Sequence, residues 1–219
     1  MADERASAAS GSGEERRVRL TKDQINALPL IQYEGPVHFV TRPEEVRRAL
    51  ETLGSQPVLG FDTETRPTFR SGQYHPPALL QLASPDCAYV FRLSTLPLGD
   101  GIIRLLASPD ILKVGVAPQR DIRELKEVVP FEEAGVVDVA TLARGCGIDA
   151  GGLRSLAAAV LGWRISKRYQ TSNWGRRHLH PAQIRYAATD AWVSLQIYLA
   201  LVGKRRADED GAREGRPRG

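Results

Sequence analysis

PVLGFDTET, residues 57–65, joins an apolar run to an acidic, polar end. Its first half is a short apolar run bounded by proline, the pattern of a buried strand, and its second half turns polar. Side chains two apart in a strand leave from one face, so Asp62 and Glu64 project the same way from the strand end. Two carboxylates so placed repel each other and lose hydration, and a divalent cation relieves both costs. A strand-end Asp also often accepts from the N–H groups of a turn, so an isolated D-x-E leaves a metal site and a turn cap both open.

The flanking sequence supplies the partners of this strand. VHFV (37–40) reads as a short strand, followed by an expected N-cap at Thr41 with Glu44 closing a capping box, and a helix through VRRALETL (46–53). ALLQLAS (78–84) and CAYVFRL (87–93) read as a hairpin turning at Pro85 and Asp86. IIRLLA (102–107) is a short helix and ILKVGV (111–116) another buried strand. Residues 118–127 form a helix with Ile122 and Leu125 inward, and Gly135 to Asp138 leads from a strand into a helix ending at Ala143. GLRSLAAAVLG (152–162) has helical spacing and a glycine stop, and Pro181 opens a long helix carrying Ile184, Ala187, Ala188, Ala191 and Leu195. Strands, then α/β units, then helices predict an α/β fold with a mixed sheet flanked by helices.

Three more positions carry chemistry. Asp121 follows the strand ILKVGV near the start of a helix, where an acid also complements the helix dipole. Tyr186 and Asp190 lie four apart in QIRYAATDAW (183–192) and share one helical face that alanines keep slim. Taken singly, a capping role for Asp121 and a Tyr–Asp hydrogen bond explain these residues as well as catalysis does.

In this order, a strand-end D-x-E, an Asp after a later strand and a helical Y-x-x-x-D resemble the DEDDy 3′→5′ exonuclease family. The resemblance covers roughly residues 36–203 and runs through GFDTETRP, PALLQLAS, KVGVAPQRDIREL, SLAAAVLGWRISKRYQTSNW and PAQIRYAATDAW. It is nearer the Werner-type exonuclease branch than ribonuclease D. What it implies is a ribonuclease-H-like fold and two divalent cations, Mg2+ or Mn2+. Asp62 would bridge both ions, Glu64 and Asp190 would complete one, and Asp121 would reach the other directly or through water. All-oxygen ligands suit hard cations. Such a pair of ions activates water and stabilises the leaving 3′ oxygen, with Tyr186 orienting the water. The sister subfamily carries a His where this chain has Arg185.

Substrate contacts are expected from Thr63, Arg66 and Phe69 around the first motif and from Lys167, Arg168 and Asn173 before the last. Trp174 reads as a packing residue. No Asp or Glu occurs from Ala150 to Thr189, a stretch that holds Arg154, Arg164, Lys167, Arg168, Arg176, Arg177 and Arg185. One-signed segments of this kind supply phosphate contacts or a solvated face. The expected partner is nucleic acid with a free 3′ end, DNA or RNA; no sequence feature points to a protein partner. A non-catalytic nucleic-acid-binding module on the same fold is the alternative. Phosphate-loop and Rossmann glycine motifs are absent, which sets other α/β phosphotransfer enzymes aside. The two cysteines and four histidines fall in no metal-ligand spacing. No apolar run nears the roughly 20 residues a membrane span needs. A soluble, cytoplasmic protein is expected, with disordered tails at 1–17 and 204–219 and an extended lead-in at 18–35.

Overall fold

The apolar runs assemble into a six-stranded sheet in a computed structural model that describes residues 19–68 and 72–214, with side chains up to Arg205. The strands are β1 (Val37–Val40), β2 (Val58–Thr65), β3 (Pro77–Ala83), β4 (Ala88–Arg92), β5 (Leu112–Gly115) and β6 (Val136–Asp138). They lie in the order β1-β4-β3-β2-β5-β6. β2, β3 and β4 form an antiparallel meander, while β1 joins β4 in parallel and β5 and β6 extend the other side in parallel. The helices are α1 (Lys22–Ala27), α2 (Pro43–Gly54), α3 (Asp100–Ala107), α4 (Pro118–Val128), α5 (Val139–Gly145), α6 (Leu153–Leu156) and α7 (Pro181–Glu214). The expected mixed sheet with flanking helices is what forms.

Alternation along β2 divides its side chains between two layers. Leu59 and Phe61 face a core built with Ala49 and Leu53 of α2, Ile102 and Leu106 of α3, and Ile122 and Leu125 of α4. Each fully buried Leu, Ile or Phe among them contributes about 1.5–3 kcal/mol. Gly60, Asp62 and Glu64 face the opposite way, toward α7. A Cβ at Gly60 would collide with the Ala191 carbonyl oxygen, so glycine is what lets α7 lie directly on the strand. Ala187, Ala188 and Ala191 are fully buried at this contact, and these small side chains complete the close approach.

Lys113 of β5 is wholly buried. Its ammonium donates to the carbonyls of Leu105 at 3.2 Å, Ser108 at 2.7 Å and Ile111 at 2.7 Å. Loss of water lowers its pKa to about 8. It ties the end of α3 to the sheet, where a cation also complements the helix dipole.

Four sequence expectations shift. The capping box of α2 lies one residue later than Thr41 and Glu44: Arg42 is the N-cap, Pro43 the first helical residue, and Glu45 accepts from the N–H groups of Thr41 and Arg42. Proline disfavours helical geometry in the residue before it, which fixes that register. The 18–35 lead-in is not uniformly extended. It holds α1, started by a reciprocal capping box between Thr21 and Gln24 and anchored by buried Ile25. The helix expected over 152–162 is α-helical only in α6 and continues as a π-helical turn, Ala157–Leu161, that stops at Gly162 with a left-handed φ of 69°. α7 runs through the boundary drawn at 203 to Glu214, since extending a packed helix adds one bond per residue fixed. The tail at 1–17 and Phe69 lie outside the described residues. Among the described residues, no helix is long and apolar enough to cross a membrane.

Candidate active site

β2 delivers Asp62 and Glu64, and α7, seated on Gly60, delivers Asp190 from above. The ligand oxygens of these three carboxylates all lie within 4.8 Å of one another. Asp190 is 7% exposed and Tyr186, one turn before it, 8%. Burial and then the neighbouring acids Asp190 and Asp121 raise Asp62 far above the usual carboxylate range. Glu64 rises for the same reason, with Asp62 its largest charged neighbour. Asp190 rises through burial. Among the described residues, none of the three has an ion-pair partner. A dense, partly buried, all-oxygen set with no ion-paired cation among the described residues fits a hard divalent cation.

Asp121 stands at the flank. Ala117 takes a left-handed φ of 51°, which turns the chain after β5 so that Pro118 starts α4 and Asp121 falls in its first turn. Its Oδ1 accepts from the Thr63 hydroxyl at 2.7 Å. Thr63 leaves β2 on the face opposite Asp62 and Glu64, so this bond holds Asp121 beside the strand end. Asp121 lies outside the mutual 4.8 Å range of the other three acids. Its charge nonetheless reaches both Asp62 and Glu64. Burial pushes its own pKa up to about 6. The four acids expected in one pocket thus resolve into a tight trio and a neighbour.

Tyr186 packs against Trp174 in a stacked arrangement at 6.1 Å and receives the edge of Tyr169 at 6.0 Å. Burial and the charges of Asp190 and Glu64 raise its phenol well beyond the ordinary value, so it remains an O–H donor at neutral pH. Arg185, next in sequence, does not enter the site. Its guanidinium donates to the carbonyls of Tyr33 at 2.8 Å and Gly35 at 3.4 Å, tying the lead-in to α7. Trp174 is a buried packing residue, as its sequence context suggests.

The remaining expected contacts separate. Thr63 is buried and committed to Asp121. Arg66 is exposed and lies against the loop at Gly175. Asn173 has a buried side-chain oxygen without a partner. Arg168 sits over the ring of Tyr169 at 5.5 Å. Lys167 lines a cleft of about 370 Å3 whose inner end is Tyr186 and Asp190. Sequence reasoning missed Gln81. It is cross-strand partner to Asp62, fully buried, and both ends of its amide lack partners. The signal was a glutamine within the otherwise apolar strand ALLQLA.

Comparison with known proteins identifies the family and the fold. A 3′-5′ exonuclease family matches residues 37–204. The human protein "Exonuclease mut-7 homolog" is 30% identical over 92% of this chain, which spans 26% of that relative. Mouse "Bifunctional 3′-5′ exonuclease/ATP-dependent helicase WRN" is 29% identical over 80% of this chain, which spans 13% of that protein. Ribonuclease D proteins are relatives as well. The crystal structure of the Aedes aegypti Nibbler EXO domain superposes with a TM-score of 0.71 and 26% identity, covering 78% of this chain and 90% of that one. This chain, with its ribonuclease-H-like sheet and acidic cleft, belongs to the 3′-5′ exonuclease family.

Proposed function

We propose that the chain is a metal-dependent exonuclease that hydrolyses phosphodiester bonds from the 3′ end of DNA or RNA and releases nucleoside 5′-monophosphates. The observation that carries this reading is the cluster of Asp62, Glu64 and Asp190 within 4.8 Å, with Asp190 buried beside Tyr186 and the other two half-buried. Asp62, Glu64 and Asp190 would hold one Mg2+ or Mn2+, and Asp62 with Asp121 would hold a second. When bound, such ions neutralise charge on the phosphate and acidify a water.

The side chains do the rest. Ionised carboxylates on β2, α4 and α7 would hold the ions at the end of the cleft where the scissile phosphate arrives. Tyr186, held by Trp174 and Tyr169, keeps its proton and orients that water by hydrogen bonding. Thr63 holds Asp121 in register with β2. Lys167 at the cleft wall pairs with a substrate phosphate. Both cysteines are free thiols, which suits a reducing, intracellular setting.

Single-stranded DNA and RNA labelled at the 5′ end test the reading. With Mg2+ or Mn2+ the label should step down a ladder of products shortened from the 3′ end, and excess chelator should stop it. Asp62→Asn should lose cleavage by at least about 10³-fold and still bind the strand. Shortening that survives chelation overturns the metal assignment. Binding without cleavage under either metal makes the chain a non-catalytic binding module.

A further inference from the structure

The approach to the trio is built from a segment that sequence reasoning left without a role. The cleft of about 370 Å3 runs outward from Tyr186 and Asp190 between α1 and the start of α6, and Lys22, Arg154 and Lys167 stand along it. Asp190, at the inner end, is the only acid among its described lining residues. One end is therefore anionic and the rest cationic. A nucleic acid strand complements that gradient: its phosphates pair with the outer cations, and its terminal diester meets the acids once divalent ions have reversed their charge. Ile25, Leu153 and Ile165 add apolar wall between the cations, suited to sugars and base faces.

α1 is fastened in this place. The Arg154 guanidinium donates to the Asn26 side-chain oxygen. The backbone N–H of Arg164 donates to Pro29 at 2.9 Å, and that of Ile31 donates back to Arg164 at 2.8 Å. Tyr33 N–H donates to the Thr189 hydroxyl at 3.1 Å, one residue before Asp190. The lead-in is thus braced against both α7 and the segment after α6, so the cleft width is set by the same contacts that position Asp190. The apolar side chains between the cations suit an unpaired strand, whose bases are free to lie against that wall.

We propose that α1 and the start of α6 form the two walls of a single-strand channel, in which Lys22, Arg154 and Lys167 hold the phosphates upstream of the scissile bond without reading sequence. This rests on the exonuclease reading for the direction of the strand. The binding contacts themselves are measurable whether or not cleavage occurs.

The test is fluorescence anisotropy of the full chain with a labelled 12-nucleotide oligothymidylate in chelator, across a range of salt. Lys22→Glu and Arg154→Glu should each weaken binding about tenfold. Each lost phosphate contact should reduce the slope of log affinity against log salt by about 0.7. Arg154→Lys forfeits the guanidinium's hydrogen bond to Asn26 but keeps the charge, so its slope should match wild type. Arg47→Glu, exposed on α2 and outside the cleft lining, should leave affinity unchanged. A blunt duplex of the same length should compete poorly. Unchanged affinity and slope in Lys22→Glu and Arg154→Glu, or an equal loss in Arg47→Glu, would overturn the channel. Failure of the wild type to cleave with metal would instead remove the exonuclease reading, and the binding results would still decide the channel.

Discussion

Each acid of the trio destabilises the fold when ionised alone, and the sign of the resulting pH dependence follows from its raised pKa. A carboxyl whose folded pKa exceeds its unfolded value binds more protons in the native state. Its contribution is fully present below the unfolded pKa and is lost as pH rises through the folded one. For Asp121 that window runs from 3.8 to about 6, and Asp62, Glu64 and Asp190 shift in the same direction. Ion binding removes the penalty only where the acids are ionised. The rise in Tm given by Mn2+ over chelator should therefore be larger at pH 7.5 than at pH 5, by several degrees on the usual ~2–4 °C per kcal/mol for a chain of this size. Thermal melts at the two pH values check this, and equal increments would contradict it. Tyr186→Phe removes one hydroxyl and keeps the ring against Trp174 and Tyr169. It should lower kcat by about 10²-fold with Mn2+ affinity nearly unchanged. A mutant at the wild-type rate would take Tyr186 out of the mechanism.

Among the elements, the seating of α7 on β2 governs the site, and Gly60 governs the seating. Gly60→Ala places a methyl on the Ala191 carbonyl oxygen. Overpacking of this kind costs about 1–3 kcal/mol. A displacement of Asp190 by about 1 Å should cost a further ~10²-fold in kcat. Denaturant melts and rates on one sample read both effects, and a variant with native stability and rate would show that α7 is seated otherwise. The strands and α7 were legible because apolar runs and an alanine stripe are strong local signals. α1 was not, although Thr21 and Gln24 spell a capping box, because six residues with one buried side chain give no periodicity. The π-helical turn at Ala157–Leu161 changes backbone pairing without any side-chain signature. Glu45 rather than Glu44 closes the box on α2 because Pro43 keeps Arg42 out of helical geometry, a restriction that the T-x-x-E spacing does not show.

At the scale of the molecule, spacing alone paired Asp62 with Glu64 and Tyr186 with Asp190. It said nothing about whether the pairs would meet. That meeting depends on a sheet order in which β2 is central and a terminal helix crosses it, and it became expected only through family resemblance. The position of Asp121, turned aside to Thr63, follows from the left-handed turn at Ala117, which no motif encodes. The chain also spans about a quarter of its human mut-7-like relative. The proposed function turns on Asp62, Glu64 and Asp190 jointly holding a divalent cation. Crystals soaked in Mn2+ and a nucleoside 5′-monophosphate, measured for anomalous scattering, address it directly. A strong manganese peak is expected among those three carboxylates, with oxygens within the hard-cation range of about 2.0–2.6 Å. A well-ordered site with no anomalous peak there, or manganese held only elsewhere, would contradict it.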